Sequence, residues 1–168
     1  QARMGSTRLP GKVLKSVAGV PLLSLQLDRI GSAKMIDRLV VATSTVSIDD
    51  QISDFCEKRD ILCFRGSEDD VLDRYYHAAK KYRAEVIVRL TADCPLIDPV
   101  IIDQAIALFQ QSDVDYVSNT LPLESSTYPD GSDVEVFSSS ALARVFAEAV
   151  SKSNREHVTS YFLREGGE

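Results

Sequence analysis

The sequence contains few of the residues that carry metal and redox chemistry. It has two histidines, His77 and His157, and three cysteines, Cys56, Cys63 and Cys94. So small a histidine content limits histidine-based acid–base chemistry. An odd number of cysteines without a CxxC pair argues against a zinc site or a disulfide framework. We therefore expect reduced thiols.

The sequence also lacks long apolar runs and an excess of positive charge. No run approaches the roughly 18 residues that a membrane span needs, and no signal-peptide pattern is present. The formal net charge is −6, which disfavours general binding to nucleic acid. The length of 168 residues fits one domain. These features predict a cytoplasmic protein that associates with neither nucleic acid nor membranes.

Against this acidic background, the opening segment of the chain concentrates positive charge and glycine. Three cations, Arg3, Arg8 and Lys12, alternate with Gly5 and Gly11. Glycine lets the backbone approach closely enough to point N–H groups at phosphate oxygens, and the cations neutralise the phosphate charge. The segment therefore predicts a loop that wraps the phosphates of a nucleotide, although a solvated basic loop is the structural alternative.

This loop is not of the ATPase type. In that motif four residues separate the two glycines, and a serine or threonine that binds magnesium follows the lysine. Here five residues separate Gly5 from Gly11, and Val13 follows Lys12. Pro10 also stiffens the backbone where the ATPase loop needs flexible amides.

Strand and helix patterns alternate along the chain, which predicts an α/β fold with a mostly parallel sheet and helices on both faces. The hydrophobic patterns predict strands over 38–43, 61–64, 86–90, 114–117 and 133–137, and helices over 48–56, 71–82, 99–111, 139–150 and 154–164. Ligands of such sheets bind beyond the carboxyl ends of the strands. The polar segments that follow the predicted strands should therefore converge on one rim.

The segment from Arg3 to Lys12 closely resembles the N-terminal signature of the sugar-activating cytidylyltransferases. This group includes the CMP-sialic acid and CMP-ketodeoxyoctonate synthetases, and the similarity is greatest to the spore coat polysaccharide biosynthesis type. Further segments resemble the family in the same order, at residues 40–44, 65–74, 89–98, 128–137 and 155–159. Ala92 replaces the glycine that usually precedes the family's aspartate, a change that adds one methyl group.

The resemblance implies a Rossmann-like nucleotide-diphospho-sugar transferase fold over residues 1–168, without the family's first strand and C-terminal segment. It implies Mg²⁺-dependent transfer of CMP from CTP to a sugar or sugar acid of the ulosonic or nonulosonic type, with release of pyrophosphate. Such enzymes, acylneuraminate cytidylyltransferases among them, serve surface polysaccharide or glycoconjugate biosynthesis. A homodimer is expected for the full-length protein.

The resemblance also assigns candidate site residues. The candidate catalytic residues are Arg3, Lys12 and Asp93. The candidate nucleotide-binding residues are Ala2, Arg3, Gly5, Ser6, Arg8, Lys12, Thr43, Ser67 and Thr91. The candidate metal ligands are Asp93, Asp133 and Glu135, and the candidate substrate-binding residues are Asp133, Glu135, Arg155 and His157.

Several of these residues have an ordinary structural alternative. Asp93 at a strand end suits Mg²⁺, but it would also cap the turn before Pro95. Asp133 and Glu135 share one face of a predicted strand, where both would equally be solvated. Arg74 belongs to a segment that faces the base in the family, or it forms a solvated helix pair with Asp73.

Two other functions fit the same sequence. One is a related nucleotide-sugar enzyme, either a uridylyl- or guanylyltransferase or a glycosyltransferase, which nucleotide preference would distinguish. The other is a non-catalytic nucleotide- or sugar-binding module, which would bind its ligand without releasing pyrophosphate.

Overall fold

Helices alternate with strands in the computed structural model, which describes residues 1–6, 8–121 and 126–164. The strands are β1 (Ser16–Val17), β2 (Val20–Pro21), β3 (Val40–Ser44), β4 (Leu62–Gly66), β5 (Val86–Arg89), β6 (Tyr116–Ser118) and β7 (Glu135–Ser138). The α-helices are α1 (Leu22–Ile30), α2 (Asp50–Lys58), α3 (Val71–Tyr82), α4 (Pro99–Gln111), α5 (Ser139–Glu148), α6 (Lys152–Glu156) and α7 (Ser160–Arg164). The alternation predicted from the sequence is confirmed, whereas α1 and the short β1–β2 hairpin were not predicted.

Strand pairing is mixed. β3 and β4 run parallel, with Val40 opposite Leu62 and Ser44 opposite Gly66. β5, β7 and β6 form a separate antiparallel sheet in that order. β7 runs antiparallel to both of its neighbours, so the pairing is less uniformly parallel than the sequence pattern suggested. Parallel neighbours need long crossover connections, and the chain supplies one in α2 between β3 and β4.

The first two residues join the two sheets at their carboxyl ends. The Gln1 amino group donates to the Leu90 carbonyl at 2.7 Å, and the Ala92 N–H donates to the Gln1 carbonyl at 2.9 Å. This is the hydrogen-bond pattern of a parallel strand pair. On the other side, the Ala2 N–H donates to the Ala42 carbonyl of β3 at 3.0 Å. Gln1 and Ala2 therefore occupy the position of a strand end between β3 and β5.

Below this bridge, a cavity of about 520 Å³ lies between β3 and β5. Its walls include the apolar side chains of Leu27, Ile30, Val41 and Ile87. Among the described residues, β3 pairs only with β4 and β5 only with β7, so the two strand edges that face the cavity carry no further strand. Protein interiors rarely contain voids much larger than a water molecule. Gln1 and Ala2 therefore hydrogen-bond the end of β5 to β3 at one end of this cavity.

Three apolar clusters hold the elements together. One lies between α3, α5 and the antiparallel sheet, around Leu72, Phe137 and Leu142. A second, which includes Met4 and Ile52, packs the opening loop against α1, α2 and β3. The third surrounds α4 and β7 and contains fully buried side chains, listed here: Ile97, Ile102, Val134 and Val136. The opening loop is therefore anchored in the core and is not a free terminal segment.

Two helices begin at an aspartate cap. The Asp70 carboxylate accepts a hydrogen bond from the Asp73 N–H at the start of α3. Asp98 caps α4 through the Val100 N–H, and Pro99 is the first helical residue. Ile48, the first residue of the helix predicted over 48–56, is 49% exposed. It lies in the 3₁₀ turn that precedes the helix, where the stripe has not yet begun.

The predicted C-terminal helix is interrupted. α6 ends at Glu156 and α7 begins at Ser160, because Val158 adopts a left-handed φ of 31° that α-helix cannot accommodate. Among the described residues, no helix reaches the length and hydropathy that a membrane span requires.

Candidate active site

The polar segments identified in the sequence meet at one rim of the fold. The carboxyl ends of β3 and β4 are tied together by the Thr45 N–H, which donates to the Gly66 carbonyl at 3.0 Å. Gln1 links this pair to the end of β5 through Leu90. The polar segments that follow the predicted strands therefore converge on one rim, as the sequence predicted. Thr7, within the opening signature, lies outside the described residues.

The opening loop closes on the peptide of Met4. Its carbonyl accepts hydrogen bonds from the Ser6 N–H at 2.9 Å and the Gly11 N–H at 2.8 Å. Gly11 has a φ of +68°, a left-handed conformation that glycine adopts without strain, and it leads directly into the 3₁₀ turn at Lys12–Leu14. The Ser6 hydroxyl accepts from the Leu9 N–H at 3.3 Å. Two neighbouring turns therefore bring Lys12 back beside the start of the loop.

Lys12 and Asp93 form the centre of the site. The Lys12 Nζ lies 2.6 Å from the Asp93 Oδ2, although the residues are 81 positions apart. Partial burial raises the pKa of Asp93, but hydrogen bonds from Lys12 and Thr91 outweigh it, so the pKa lies below its usual value. Both side chains remain partly exposed, at 25% for Lys12 and 41% for Asp93. A cation and an ionised carboxylate therefore face solvent together.

The remaining predicted phosphate-binding residues of the loop lie at the surface. Arg3, Gly5 and Arg8 are exposed, and a side chain at Gly5 would meet open space. Neither Arg3 nor Arg8 has a side-chain hydrogen bond or ion pair within the described residues. These guanidinium groups are available to an anionic ligand, as the phosphate-loop interpretation requires.

Arg74 is not one of a solvated pair with Asp73, so that alternative is wrong. It is 1% exposed and donates to the Ser67 carbonyl and, at 3.2 Å, to the Gln1 Oε1. Burial lowers its pKa, and the nearby charge of Arg3 lowers it further. Arg74 therefore braces the loop start against the end of β4 from beneath the site.

The other predicted nucleotide-binding residues have varied surroundings. Ser67 is half-buried, and its hydroxyl accepts from the Asp70 N–H at 3.1 Å. Thr43 is fully buried, and its Oγ1 has no hydrogen-bond partner within the described residues. The Thr91 carbonyl accepts from the Gln26 side chain at 2.6 Å. The Ala2 N–H belongs to the bridge to β3. Their assignment to the nucleotide stays a prediction.

Glu135 differs from Asp93 in that its carboxylate is nearly buried. Arg89 forms an ion pair with Oε2, and the Tyr116 hydroxyl donates to Oε1 at 2.8 Å. The Arg89 and Glu135 side chains are only 13% and 12% exposed. A metal at Glu135 would require this buried pair to open, and losing one partner of such a pair is costly. Glu135 as a metal or substrate ligand stays a prediction.

Asp133 lies just before β7 rather than within it. Its Oδ1 accepts from the Thr120 hydroxyl at 3.0 Å. Its charge contributes to raising the pKa of Cys94, after the larger effect of burial, which places it on the Asp93 side of the rim. A side-chain atom on Gly131 would also lie 3.8 Å from the Cys94 sulfur. The 128–133 segment therefore lies beside Cys94, the neighbour of Asp93.

The two predicted substrate-binding residues Arg155, in α6, and His157, just after it, have different surroundings. The Arg155 guanidinium pairs with Asp70 at 2.6 Å, donates to the Phe146 carbonyl at 3.0 Å and stacks over the Phe146 ring. It therefore joins α5 and α6 to the start of α3. His157 is exposed, and its ring makes no hydrogen bond within the described residues. Substrate binding by either residue stays a prediction.

Asp49 is the site residue that sequence reasoning missed. It is 2% exposed, and its carboxylate accepts from the Met4 N–H and from the N–H and hydroxyl of Ser44. In the sequence it precedes Asp50 at the start of a helix, where paired acids ordinarily favour the helix dipole. No local pattern showed that its partner is 45 residues away.

Comparisons with known proteins agree with this arrangement. The family profile described as cytidylyltransferase matches residues 1–167. The spore coat polysaccharide biosynthesis protein SpsF of Bacillus subtilis is 39% identical over 168 residues, covering 96% of this chain and 67% of that protein. A 3-deoxy-manno-octulosonate cytidylyltransferase of Geobacter sulfurreducens is 37% identical over 106 residues, covering 63% of this chain and 42% of that protein.

A solved structure agrees as well. A cytidylyltransferase from Leptospira borgpetersenii superposes with a TM-score of 0.90 at 35% identity, covering 97% of this chain and 68% of that one. The chain spans about two thirds or less of the length of the curated relatives that it matches. The profile covers nearly every residue, including the loop and Asp93. The chain belongs to the cytidylyltransferase family.

Proposed function

We propose that this protein transfers CMP from CTP to a hydroxyl group of a sugar or sugar acid and releases pyrophosphate. The observation that carries the proposal is the 2.6 Å contact between Lys12 and Asp93. It joins the cationic loop to a carboxylate at the end of β5 and leaves both groups partly exposed at one rim. Phosphoryl chemistry on a polyphosphate needs this combination of positive charge and a metal-binding carboxylate.

The chain's own residues supply positioning and charge. The acceptor oxygen attacks the α-phosphorus, its P–O bond forms, and the bond to the bridging oxygen breaks with the electron pair leaving on pyrophosphate. The acceptor hydroxyl loses its proton in the process. Lys12 and Arg3 stabilise the charge that develops on the phosphates, because their cations lie on the same loop. Positioning then supplies much of the remaining acceleration.

Mg²⁺ is the metal that we propose for this site. Within the described residues, no three histidine, cysteine or acidic side chains cluster into a complete metal site. A single partly exposed carboxylate such as Asp93 suits magnesium, which binds one or two carboxylates and takes its other ligands from water and phosphate oxygens. Asp93 fits best, because its side chain is 41% exposed at the rim, whereas that of Glu135 is 12% exposed. Bound there, the ion would neutralise phosphate charge.

The acceptor that we favour is an eight-carbon ulosonic acid or a related nonulosonic acid. Support comes from the relatives named as 3-deoxy-manno-octulosonate cytidylyltransferases and from the similarity to SpsF. The segment before β7, which carries Asp133, lies beside Cys94, the neighbour of Asp93, and is the surface that would meet the sugar. A cytoplasmic location and a homodimer also remain part of this proposal.

Calorimetric titration with CTP, UTP, ATP and GTP in the presence of Mg²⁺ tests the nucleotide. We expect CTP to bind at least about tenfold more tightly than the other three. Pyrophosphate release with octulosonic and nonulosonic acids then tests the acceptor. Preference for another nucleotide would reassign the chain to a related nucleotide-sugar enzyme. Selective CTP binding without pyrophosphate release, with every acceptor tried, would indicate a binding module.

A further inference from the structure

Asp49 has an unusual position for a buried carboxylate. It lies at the first turn of α2, where an aspartate ordinarily caps its own helix, yet it makes no capping hydrogen bond. Its Oδ1 accepts from the Met4 N–H at 2.7 Å, and its Oδ2 accepts from the Ser44 hydroxyl and N–H. It forms no ion pair within the described residues. Its charge is therefore held by donors from the loop and from β3.

The Met4 peptide that Asp49 holds is the point on which the opening loop closes. The Met4 N–H binds Asp49, while its carbonyl accepts from Ser6 and Gly11. The Met4 methyl group also lies 3.2 Å from the position of a Cβ on Gly11. Hydrogen bonds to a charged acceptor are stronger than those between neutral groups. Asp49 therefore holds the residue, Met4, whose carbonyl binds both Ser6 and Gly11 in the loop.

The predicted phosphate ligands flank this anchored peptide. Arg3 immediately precedes Met4, and Lys12 immediately follows Gly11. The path from Asp49 through Met4 and Gly11 thus ends at the ammonium that contacts Asp93. Because small displacements of such groups weaken charge stabilisation strongly, the anchoring contact matters for ligand binding.

We propose that Asp49 is a positioning residue of the nucleotide site, which sets the placement of Arg3 and Lys12 through the Met4 peptide. The proposal rests on the function proposed above. It predicts that Asp49 contributes to recognition of the triphosphate more than of the cytidine moiety, because Arg3 and Lys12 lie on the loop that Met4 closes, whereas the two contacts with Ser44 hold the end of β3. A residue that only stabilised the fold would affect both ligands alike or neither.

Asp49→Asn is the variant that tests this role, because the amide keeps the volume but loses the charge and one acceptor oxygen. We expect the dissociation constant for CTP to rise about tenfold, while that for cytidine changes less than twofold. Calorimetry with both ligands measures the two values. Asp103→Asn is the matched control, because Asp103 also accepts backbone N–H groups from a distant segment, at Lys34 and Met35. It should lower the melting temperature without changing either affinity.

Gly11→Ala tests the same loop closure if Asp49→Asn fails to fold. Alanine at a φ of +68° and 3.2 Å from the Met4 methyl group would disturb the same closure from the opposite side. It should reproduce the selective loss of CTP affinity. Equal losses for CTP and cytidine, or no loss in the Asp49 and Gly11 variants, would overturn the positioning role alone. Absence of CTP binding by the unmodified chain would overturn the proposed function and this role with it.

Discussion

The two ends of the gap between β3 and β5 are held by different forces. At the carboxyl ends, Gln1 and Ala2 bridge the strands, and polar contacts at Asp49 and Asp93 connect segments 45 and 81 residues apart. Toward the amino ends, the strands face a 520 Å³ cavity whose walls include both apolar and charged side chains. The difference shows that directed hydrogen bonds at the rim, together with the packing of Met4 in the core, order the site.

The largest effect should follow from removing the carboxylate at the rim. Asp93→Asn keeps the side-chain shape but removes the charge that pairs with Lys12. We expect turnover to fall by about 10²- to 10³-fold, measured as pyrophosphate release, because charge stabilisation of this kind is commonly worth 10²–10³. Asp98→Asn is the control, since Asp98 caps α4 and asparagine fills that role about equally well, so that stability should change by less than about 0.5 kcal/mol and turnover should not change. Normal turnover in the Asp93 variant would remove it from the mechanism.

The packing of side chains around the cavity is tested by the free energy of unfolding and not by activity. Leu72 is fully buried between α3 and α5, whereas Leu27 lines the cavity. Leu72→Ala should lower the free energy of unfolding by about 4 kcal/mol, and Leu27→Ala by about 2 kcal/mol, because Leu27 already lacks neighbours on one side. Urea unfolding of both variants measures the difference. Equal losses would mean that the region around the gap is as well packed as the α3–α5 core.

Lys12 provides a sharper test of the rim. Lys12→Ala should lower kcat by about 10²-fold and leave cytidine affinity within twofold, because the ammonium acts on phosphates and not on the base. The measurements are steady-state kinetics and cytidine titration. Lys15→Ala is the matched control, since this exposed lysine follows the same 3₁₀ turn without contacting Asp93. A similar loss in the control would indicate a general electrostatic effect of the loop.

The smallest effect concerns the cysteines behind the rim. A hydrogen bond from Cys56 lowers the pKa of Cys63 to about 7, whereas burial raises the pKa of Cys94. Cys63 is half-buried and Cys56 fully buried. Iodoacetamide at pH 7 should therefore modify Cys63 first, at least about fivefold faster than the others, because the thiolate is the reactive form. Peptide mapping measures the rates, and faster modification of Cys94 would contradict the order.

Much of the fold was predictable because it depends on local patterns. The stripe of α3 and the Asp98–Pro99 start of α4 are encoded in adjacent residues, and both helices lie where the sequence indicated. The helix α1 was missed, and the division of the last helix at Val158 depends on a backbone conformation that side-chain periodicity does not reveal. Strand direction was also harder to predict, since the placement of β7 depends on contacts across the whole chain.

The sequence by itself determined the chemistry of this protein: a cationic glycine-containing loop, an aspartate after a strand, and motifs in an order that identifies the family. Only the tertiary structure decided which of these side chains are exposed to a ligand and which are buried or paired. It paired Lys12 with Asp93, enclosed Glu135 between Arg89 and Tyr116, and buried Arg74 and Asp49 beneath the loop. The physical reason is that residue type fixes charge and hydrogen-bonding capacity, whereas partner and burial depend on segments that meet only after folding.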